Sequence, residues 1–447
     1  MFFLLGGLLL LPLLVGVTLV LLRRPAAPLA RRVTVATFGL VTLCALGLLA
    51  YGEREVQLPV TWLPGAGALS LHVGGVGLQA ALATALVGLV ALMLMPEPRQ
   101  ERGALAGGLL LIALASGNAA FLAGHFLGRY VALELVALSV ALMPLLQHRN
   151  RAGWRDTQFV YLLFRIGDAG MLAGILLLLD IGGTLQIEAA LQAGAGESGS
   201  RLVWVVVTFL LAVWVKVGAC PFDRWLLAGR SLPTQTGAWL YAVMMPNLGL
   251  YLLYRIAPLL ELSAAQHTVL WLSGASALLA LARPLWRPEA RMATAPPAYI
   301  TATLGSLALI AAASGNTALI VWLLLWGTPL RLLLWVVLVP APATPAPRRA
   351  LFDGWNRIAK AARDKIEINV LERSITWLAQ TIVEVARFLH QTVEQDGLDA
   401  TLRAMVRGTW RFSRWLQQRH TGRLRVNLTW IILTLVLAVV TLVVRGW

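Results

Sequence analysis

Residues 202–221 read LVWVVVTFLLAVWVKVGACP, an apolar run carrying a single lysine, Lys216, and closing on Pro221. A helix of about 20 apolar residues crosses the roughly 30 Å hydrocarbon core of a bilayer. Backbone groups in lipid must be satisfied within the segment or in a closed barrel. The run is continuous rather than alternating, which selects the helix. The rest of the chain has the same character. Of its 447 residues, 58% are apolar and only 13% charged, against about 25% charged in soluble domains. Mean hydropathy is +0.75. Twelve spans are expected, at 1–22, 33–50, 72–95, 104–124, 126–147, 157–180, 202–221, 236–258, 266–283, 297–314, 317–339 and 425–445.

The formal net charge of +16 does not point to nucleic acid, because the arginines sit in short clusters between apolar runs. Arg23, Arg24, Arg31 and Arg32 mark the first loop, and His148, Arg149, Arg151 and Arg155 the fifth. Arg224 and Arg230 mark the seventh, and Arg283, Arg287 and Arg291 the ninth. The loops between carry Glu53 and Glu55, Glu188 and Glu197, and Glu261. The positive-inside rule makes the odd loops cytoplasmic and puts both termini on the other side. Arg23 and Arg24 follow the first run, with no small-residue cleavage site, so a removable signal peptide is not expected. Cys44 and Cys220 lie in or beside apolar runs and suggest neither a disulfide nor a metal framework. No phosphate loop, iron–sulfur cysteine cluster or haem-type histidine pair is seen, so no cofactor or metal is expected.

After a Pro/Ala hinge at 340–347, residues 351–420 are charged. Ile375, Leu378, Ile382, Val385 and Leu389 recur at three- and four-residue steps, the pattern of an amphipathic helix. About 60 such residues would reach roughly 90 Å. The segment either lies in the membrane interface or forms a strut across neighbouring subunits, and its length favours the strut.

Ionisable residues inside spans are costly and mark candidate functional sites. Glu134 stands in the fifth span, Asp168 in the sixth and Lys216 in the seventh. The chain has three lysines among 37 basic residues, and one of them is kept in a span. Lysine can lose its proton when desolvated, whereas arginine stays charged. A carboxylate beside Lys216 would control that proton. A relay and a static ion pair between Glu134 and Lys216 fit the residues about equally. His125 reads as a loop-end residue, Arg165 as a partner for Asp168, and Pro246 as a kink or break in the eighth span.

Together these residues resemble the proton-conducting antiporter-like family: subunit L of bacterial complex I and its relatives in multi-subunit Na+/H+ antiporters. The family's Trp-Glu-Leu-Val-Gly is similar to Leu133-Glu134-Leu135-Val136-Ala137, and its Asn-Arg-Ile-Gly-Asp to Phe164-Arg165-Ile166-Gly167-Asp168. Its Lys-Ser-Ala-Gln-x-Pro is similar to the stretch from Lys216 to Pro221. A Trp-Leu-Pro and a Pro-Thr-Pro appear as Trp225-Leu226-Leu227 and Pro233-Thr234-Gln235. The likeness covers roughly residues 100–335. His420-Thr421-Gly422-Arg423-Leu424-Arg425 is similar to the stretch that joins lateral helix to last span in L-type members.

The resemblance implies an all-α polytopic fold with about twelve transmembrane helices and a cytoplasmic-side lateral amphipathic helix. It implies a proton relay of Glu134, Asp168 and Lys216, with Arg165, Tyr241 and Arg331 secondary. Tyr241 stands at the family's central histidine, Trp322 and Trp326 at its histidine pair, and Arg331 at the lysine beyond. An indole N–H only donates, and about four spans are missing after residue 340, so the second half looks dismantled. The implied domains are 1–100, N-terminal helices; 101–260, first antiporter-like repeat; 261–340, a partial and degenerate second repeat; 341–424, hinge and lateral helix; and 425–447, the last span. The implied function is a membrane-arm subunit of a complex I-like assembly, contributing to proton translocation coupled to quinone reduction and not catalytic alone. The alternatives are a membrane partner of a zinc protein in inorganic-carbon uptake, or a non-pumping structural subunit. The expected partners are other integral membrane subunits and the lipid bilayer, with no nucleic acid. The expected location is the bacterial inner (cytoplasmic) membrane.

Overall fold

The computed structural model describes residues 1–22, 29–57, 69–94, 103–147, 151–229, 232, 234–286 and 295–338. The expected hinge, lateral helix, tail stretch and twelfth span lie outside them. The chain divides into two units, Met1–Arg363 and Asp364–Trp447, and all the described residues lie in the first.

Long apolar helices dominate: α1 (Phe2–Leu21), α2 (Ala30–Leu49), α3 (Gly75–Leu94), α4 (Gly103–Leu122), α5 (Phe126–Gln147), α6 (Arg151–Gly182) and α8 (Ser200–Val217). The short α7 (Ile187–Ala195) lies in the loop before α8. After α8 come two more short pieces, α9 (Arg224–Ala228) and α10 (Thr234–Gly237). Then follow a π-helical segment (Ala238–Met244), α11 (Met245–Leu262), α12 (Gln266–Trp286), α13 (Ala295–Ala313), α14 (Thr317–Leu325) and α15 (Gly327–Leu338). Each of the eleven expected spans within the described residues contains helix. Among the described residues, eight helices are long and apolar enough to cross a membrane, or nine if α14 and α15, bent by 45° at their junction, make one broken span. That count supports a polytopic membrane protein.

The expectation of an all-α chain needs one correction. The second loop carries an antiparallel hairpin, β1 (Arg54–Gln57) with β2 (Ser70–Val73). Its strands are four residues each and lie between spans, where no apolar run signals them. Ser70 accepts from the Gly124 N–H at 2.8 Å and donates to Gln186 at 2.7 Å. The hairpin, the α4–α5 corner and the start of α7 are thus tied together on one side of the bundle.

The helices meet where small residues allow it, the usual means of packing apolar helices in lipid. On α1, a Cβ at Gly16 would come within 2.9 Å of the Gly108 carbonyl of α4. On α6, Gly167, Gly170 and Gly174 face α8: a Cβ would lie 3.1 Å from Val215, 2.8 Å from the Thr208 carbonyl and 2.6 Å from Phe209, respectively. α4 and the π–α11 pair are the most enclosed spans, and α1 and α2 the most peripheral. Pro246 sits in the first turn of α11, directly after the π-helical stretch. The eighth span is therefore irregular where the sequence places a kink, with the proline directly following the π-helical turns.

Candidate functional site

Four charged side chains from three helices form one connected group. Lys216, on the last turn of α8, is fully buried and donates to Asp168 Oδ1. Asp168, on α6, is 1% exposed and accepts through its other oxygen from Arg165, one turn earlier, at 2.9 Å. The same guanidinium nitrogen also contacts Glu134 of α5. The order is Lys216–Asp168–Arg165–Glu134. The carboxylate facing the lysine is Asp168 rather than Glu134, which corrects the expected direct pair. Glu134 is reached only through Arg165.

Burial is graded along the group. Lys216 and Asp168 are enclosed, whereas the Glu134 and Arg165 side chains are 15% and 31% exposed. Arg165 also stacks on Tyr161, 5.1 Å from the ring centre. One end of the group is sealed in the bundle and the other reaches the lateral surface formed by α5 and α6.

The α6 glycines make the sealed end possible. Gly167 rests on Val215, next to Lys216, so the aspartate that follows it in sequence meets the lysine. Gly218 ends α8 two residues later with φ +67°, a left-handed conformation suited to glycine. From α11, a Cβ at Gly249 would lie 3.0 Å from the Lys216 carbonyl carbon, so only glycine fits there. Trp225 donates to the Val215 carbonyl at 2.8 Å and packs between Phe164 and Tyr241.

Beyond α8 the chain is latched to α12. Asp223 is buried and paired with Arg283, which also donates to Cys220 Sγ at 3.4 Å. Burial pushes the Asp223 carboxyl up despite the Arg283 charge.

Of the expected secondary residues, Arg165 is one of the four, whereas Tyr241 and Arg331 lie apart from them. Tyr241 is fully buried and donates to the Val140 carbonyl at 2.8 Å. Trp322 and Trp326 are half-exposed or more, on the outside at the α14–α15 bend. Arg331 is buried and donates to Asn247 Oδ1 and, at 3.2 Å, to Thr328. Asn247 donates to Thr84 of α3 at 2.9 Å. The sequence reading missed Asn247 and Thr84, although an asparagine in the midst of an apolar run was a usable signal. His125 stands before α5, where its Nδ1 accepts from the Leu127 N–H at 3.2 Å, in keeping with a helix-end residue. Arg129, also missed, is buried in α5 and donates to the Ala120 and Ala123 carbonyls at 3.1 and 2.8 Å.

Residues 123–287, which contain all four members of the group, match the NADH:quinone oxidoreductase/Mrp antiporter transmembrane family. Over these residues the chain is similar to that family. The Na(+)/H(+) antiporter subunit A1 of Staphylococcus epidermidis is 27% identical over 155 residues, covering 34% of this chain and 19% of that protein. NADH-quinone oxidoreductase subunit L of Mycobacterium tuberculosis is 26% identical over 266 residues, covering 53% and 41%. The chain thus spans well under half the length of these relatives. Among solved structures, the Mrp complex of Dietzia sp. superposes with a TM-score of 0.64 at 19% identity, covering 74% of this chain and 36% of that one. Respiratory complex I of Thermus thermophilus gives 0.63 at 22% identity, covering 75% and 70%. The fold of the antiporter-like domain is shared with both.

Proposed function

We propose that this chain is a membrane-arm subunit of a complex I-like respiratory assembly, and that its buried charge group takes part in moving protons coupled to quinone reduction. The observation that carries this reading is the Lys216–Asp168 pair, enclosed in the bundle and linked by Arg165 to Glu134 at the lateral surface. Arg165 holds two carboxylates at once. When it leans to Glu134, the Asp168 charge is free to hold the Lys216 proton. When it leans to Asp168, that charge is shared and the lysine is released to give its proton up. Arginine itself remains charged throughout. Movement of one guanidinium therefore converts an electrostatic change at the surface into a protonation change inside. Glu134, Asp168 and Lys216 are the relay in this reading, with Arg165 its switch.

The test uses the assembled complex in sealed vesicles. Lys216→Met and Lys216→Arg should each abolish proton movement while the subunit still assembles. Full activity in Lys216→Arg would exclude a protonation cycle at that position.

The open end of the group supports partner subunits. Glu134 and Arg165 would meet hydrocarbon if α5 and α6 faced lipid, and charge there is expensive. A neighbouring integral membrane subunit on this face removes that penalty. We place the chain in the bacterial inner membrane with odd loops cytoplasmic and both termini outside, on the strength of the arginine clusters. Twelve spans, the five domains of the sequence reading and a lateral strut over 351–420 belong to the same proposal.

A second reading, a subunit that holds the arm without conducting, draws on the distal half. The Tyr241 hydroxyl is committed to a backbone carbonyl, and Trp322 and Trp326 turn outward. The two readings meet in the view that this chain carries no complete proton path of its own.

A further inference from the structure

A cavity of about 600 Å³ lies behind the β1–β2 hairpin, lined among others by Glu53, His72, Glu188, Tyr251, Arg255 and Thr317. Glu188 and Arg255 form an ion pair across its wall. Its lining mixes these polar groups with apolar ones such as Leu191 and Leu259, and its size suits on the order of 20 waters.

Three helices continue from this cavity into the bundle. The lining includes Gly75 to Gly77 on α3, Tyr251 to Leu259 on α11 and Thr317 at the start of α14. Deeper along the same α3 and α11, Thr84 and Asn247 are hydrogen-bonded to each other. Past the α14–α15 bend, Thr328 donates to that asparagine at 3.0 Å. Asn247 is one turn inward of Tyr251, a rise of about 6 Å. Arg331 closes this cluster. It is 2% exposed, has no carboxylate partner among the described residues, and its Nε has no hydrogen-bond partner there. Asn247 and Gly249 are about 200° apart around α11. The cluster is therefore on a different side of that helix from Lys216, which Gly249 touches.

A buried guanidinium held by neutral oxygens is a fixed positive charge. In water-filled pores such a charge repels protons and other cations. We infer that the hairpin-side cavity is a water-filled vestibule and that Arg331, in the buried cluster inward of it, is an electrostatic seal, excluding hydronium and hydrated monovalent cations from the bundle interior. Along α11 one turn separates the cavity wall from the cluster, none of whose members lines the cavity, and the Arg331 charge stands behind that turn. This role goes beyond the relay and depends only on the chain spanning a membrane.

The full chain in liposomes, under an imposed potential with an interior pH dye, should be as tight as empty vesicles. Arg331→Gln should raise proton entry at least several-fold, and Arg331→Lys should leak less than Arg331→Gln. Adding Lys216→Met to Arg331→Gln should leave the leak in place; a leak that vanished would overturn the seal and assign the flux to the relay. Gln192, exposed on the cavity wall, provides an independent check that needs no change at Arg331. A cysteine placed there should react with a bulky membrane-impermeant thiol reagent, and in the Arg331→Gln background that reaction should cut the leak. A folded Arg331→Gln that stays tight would overturn the seal. Absence of labelling, or labelling without effect on the leak, would overturn the vestibule. Loss of proton movement in the assembled complex on Lys216→Met tests the relay separately, and neither result decides the other.

Discussion

Arg165 contacts Glu134 and Asp168 with one nitrogen, and this sharing is where the chemistry of the group is set. Arg165→Gln would leave two carboxylates without their cation. Breaking a buried pair costs about 3–5 kcal/mol, and the partial exposure of Arg165 reduces this to roughly 1–3 kcal/mol. The expected outcome is a folded complex of slightly lower thermal stability in which proton movement is lost. Arg165→Lys should restore much of the stability and little of the movement, because an ammonium is more strongly hydrated than a guanidinium and, when buried, can itself give up its proton. Vesicle acidification measured beside a melting curve separates the two effects. A second expectation concerns Asp223. Burial raises its carboxyl in the folded state, so the fold holds that proton more tightly than the unfolded chain. That contribution to stability is therefore present at low pH and fades as pH rises through the raised value. Melting in detergent from pH 4 to 7 should show wild type gaining on Asp223→Asn as the pH falls. A constant offset between the two would contradict the assignment. Lys216 was legible in sequence because a titratable cation stands alone in an apolar run. Its partner was not. Glu134 and Asp168 are equally plausible by composition, and the choice depends on how α6 is rotated against α8.

That rotation is a property of elements. Gly167, Gly170 and Gly174 make one face of α6 a trough into which α8 settles. Gly170→Val would drive a methyl into the Thr208 carbonyl, at about 1–3 kcal/mol of overpacking. It should also pull Asp168 from Lys216. The expected result is a proton-movement defect out of proportion to the loss of stability, in a variant that keeps all four charged residues. A defect no larger than that of Gly6→Val, which meets nothing within 4 Å, would show that the trough does not position the pair. The same seam explains what could be read from sequence. Helix positions follow from apolar runs, and the eleven in the described residues fall where the runs are. Helices that are apolar all round carry no stripe to say which face meets which neighbour. The hairpin and α7 escaped notice because they are short and sit in loops. The bend at Trp326 escaped because neither proline nor glycine precedes it in the run; Gly327 only follows.

At the scale of the whole molecule, the described residues hold two separate polar centres, one on α5, α6 and α8 and one on α3, α11 and α15, and only the first lies wholly within the family match at 123–287. The resemblance was legible because its short motifs occur in order and carry charges and prolines that lipid-facing helices do not otherwise keep. The twelfth span and the lateral segment rest on sequence pattern alone. Residues 353–395 offer the direct test of that segment. Deleting them should release a subcomplex on native gels if they bind neighbouring subunits, and an unchanged complex would count against a strut.

The graded burial of the charge group also bears on the life of the chain before assembly. On the proposed reading, before a neighbouring subunit covers them, Glu134 and Arg165 form a polar blemish on an otherwise greasy flank, and bilayer deformation or stray water must accommodate it. Membrane quality control recognises such defects, so the unassembled chain should be short-lived. Its turnover, followed by pulse–chase with the other subunits withheld, should slow when Glu134 and Arg165 are replaced together by leucine, even though that variant could never work.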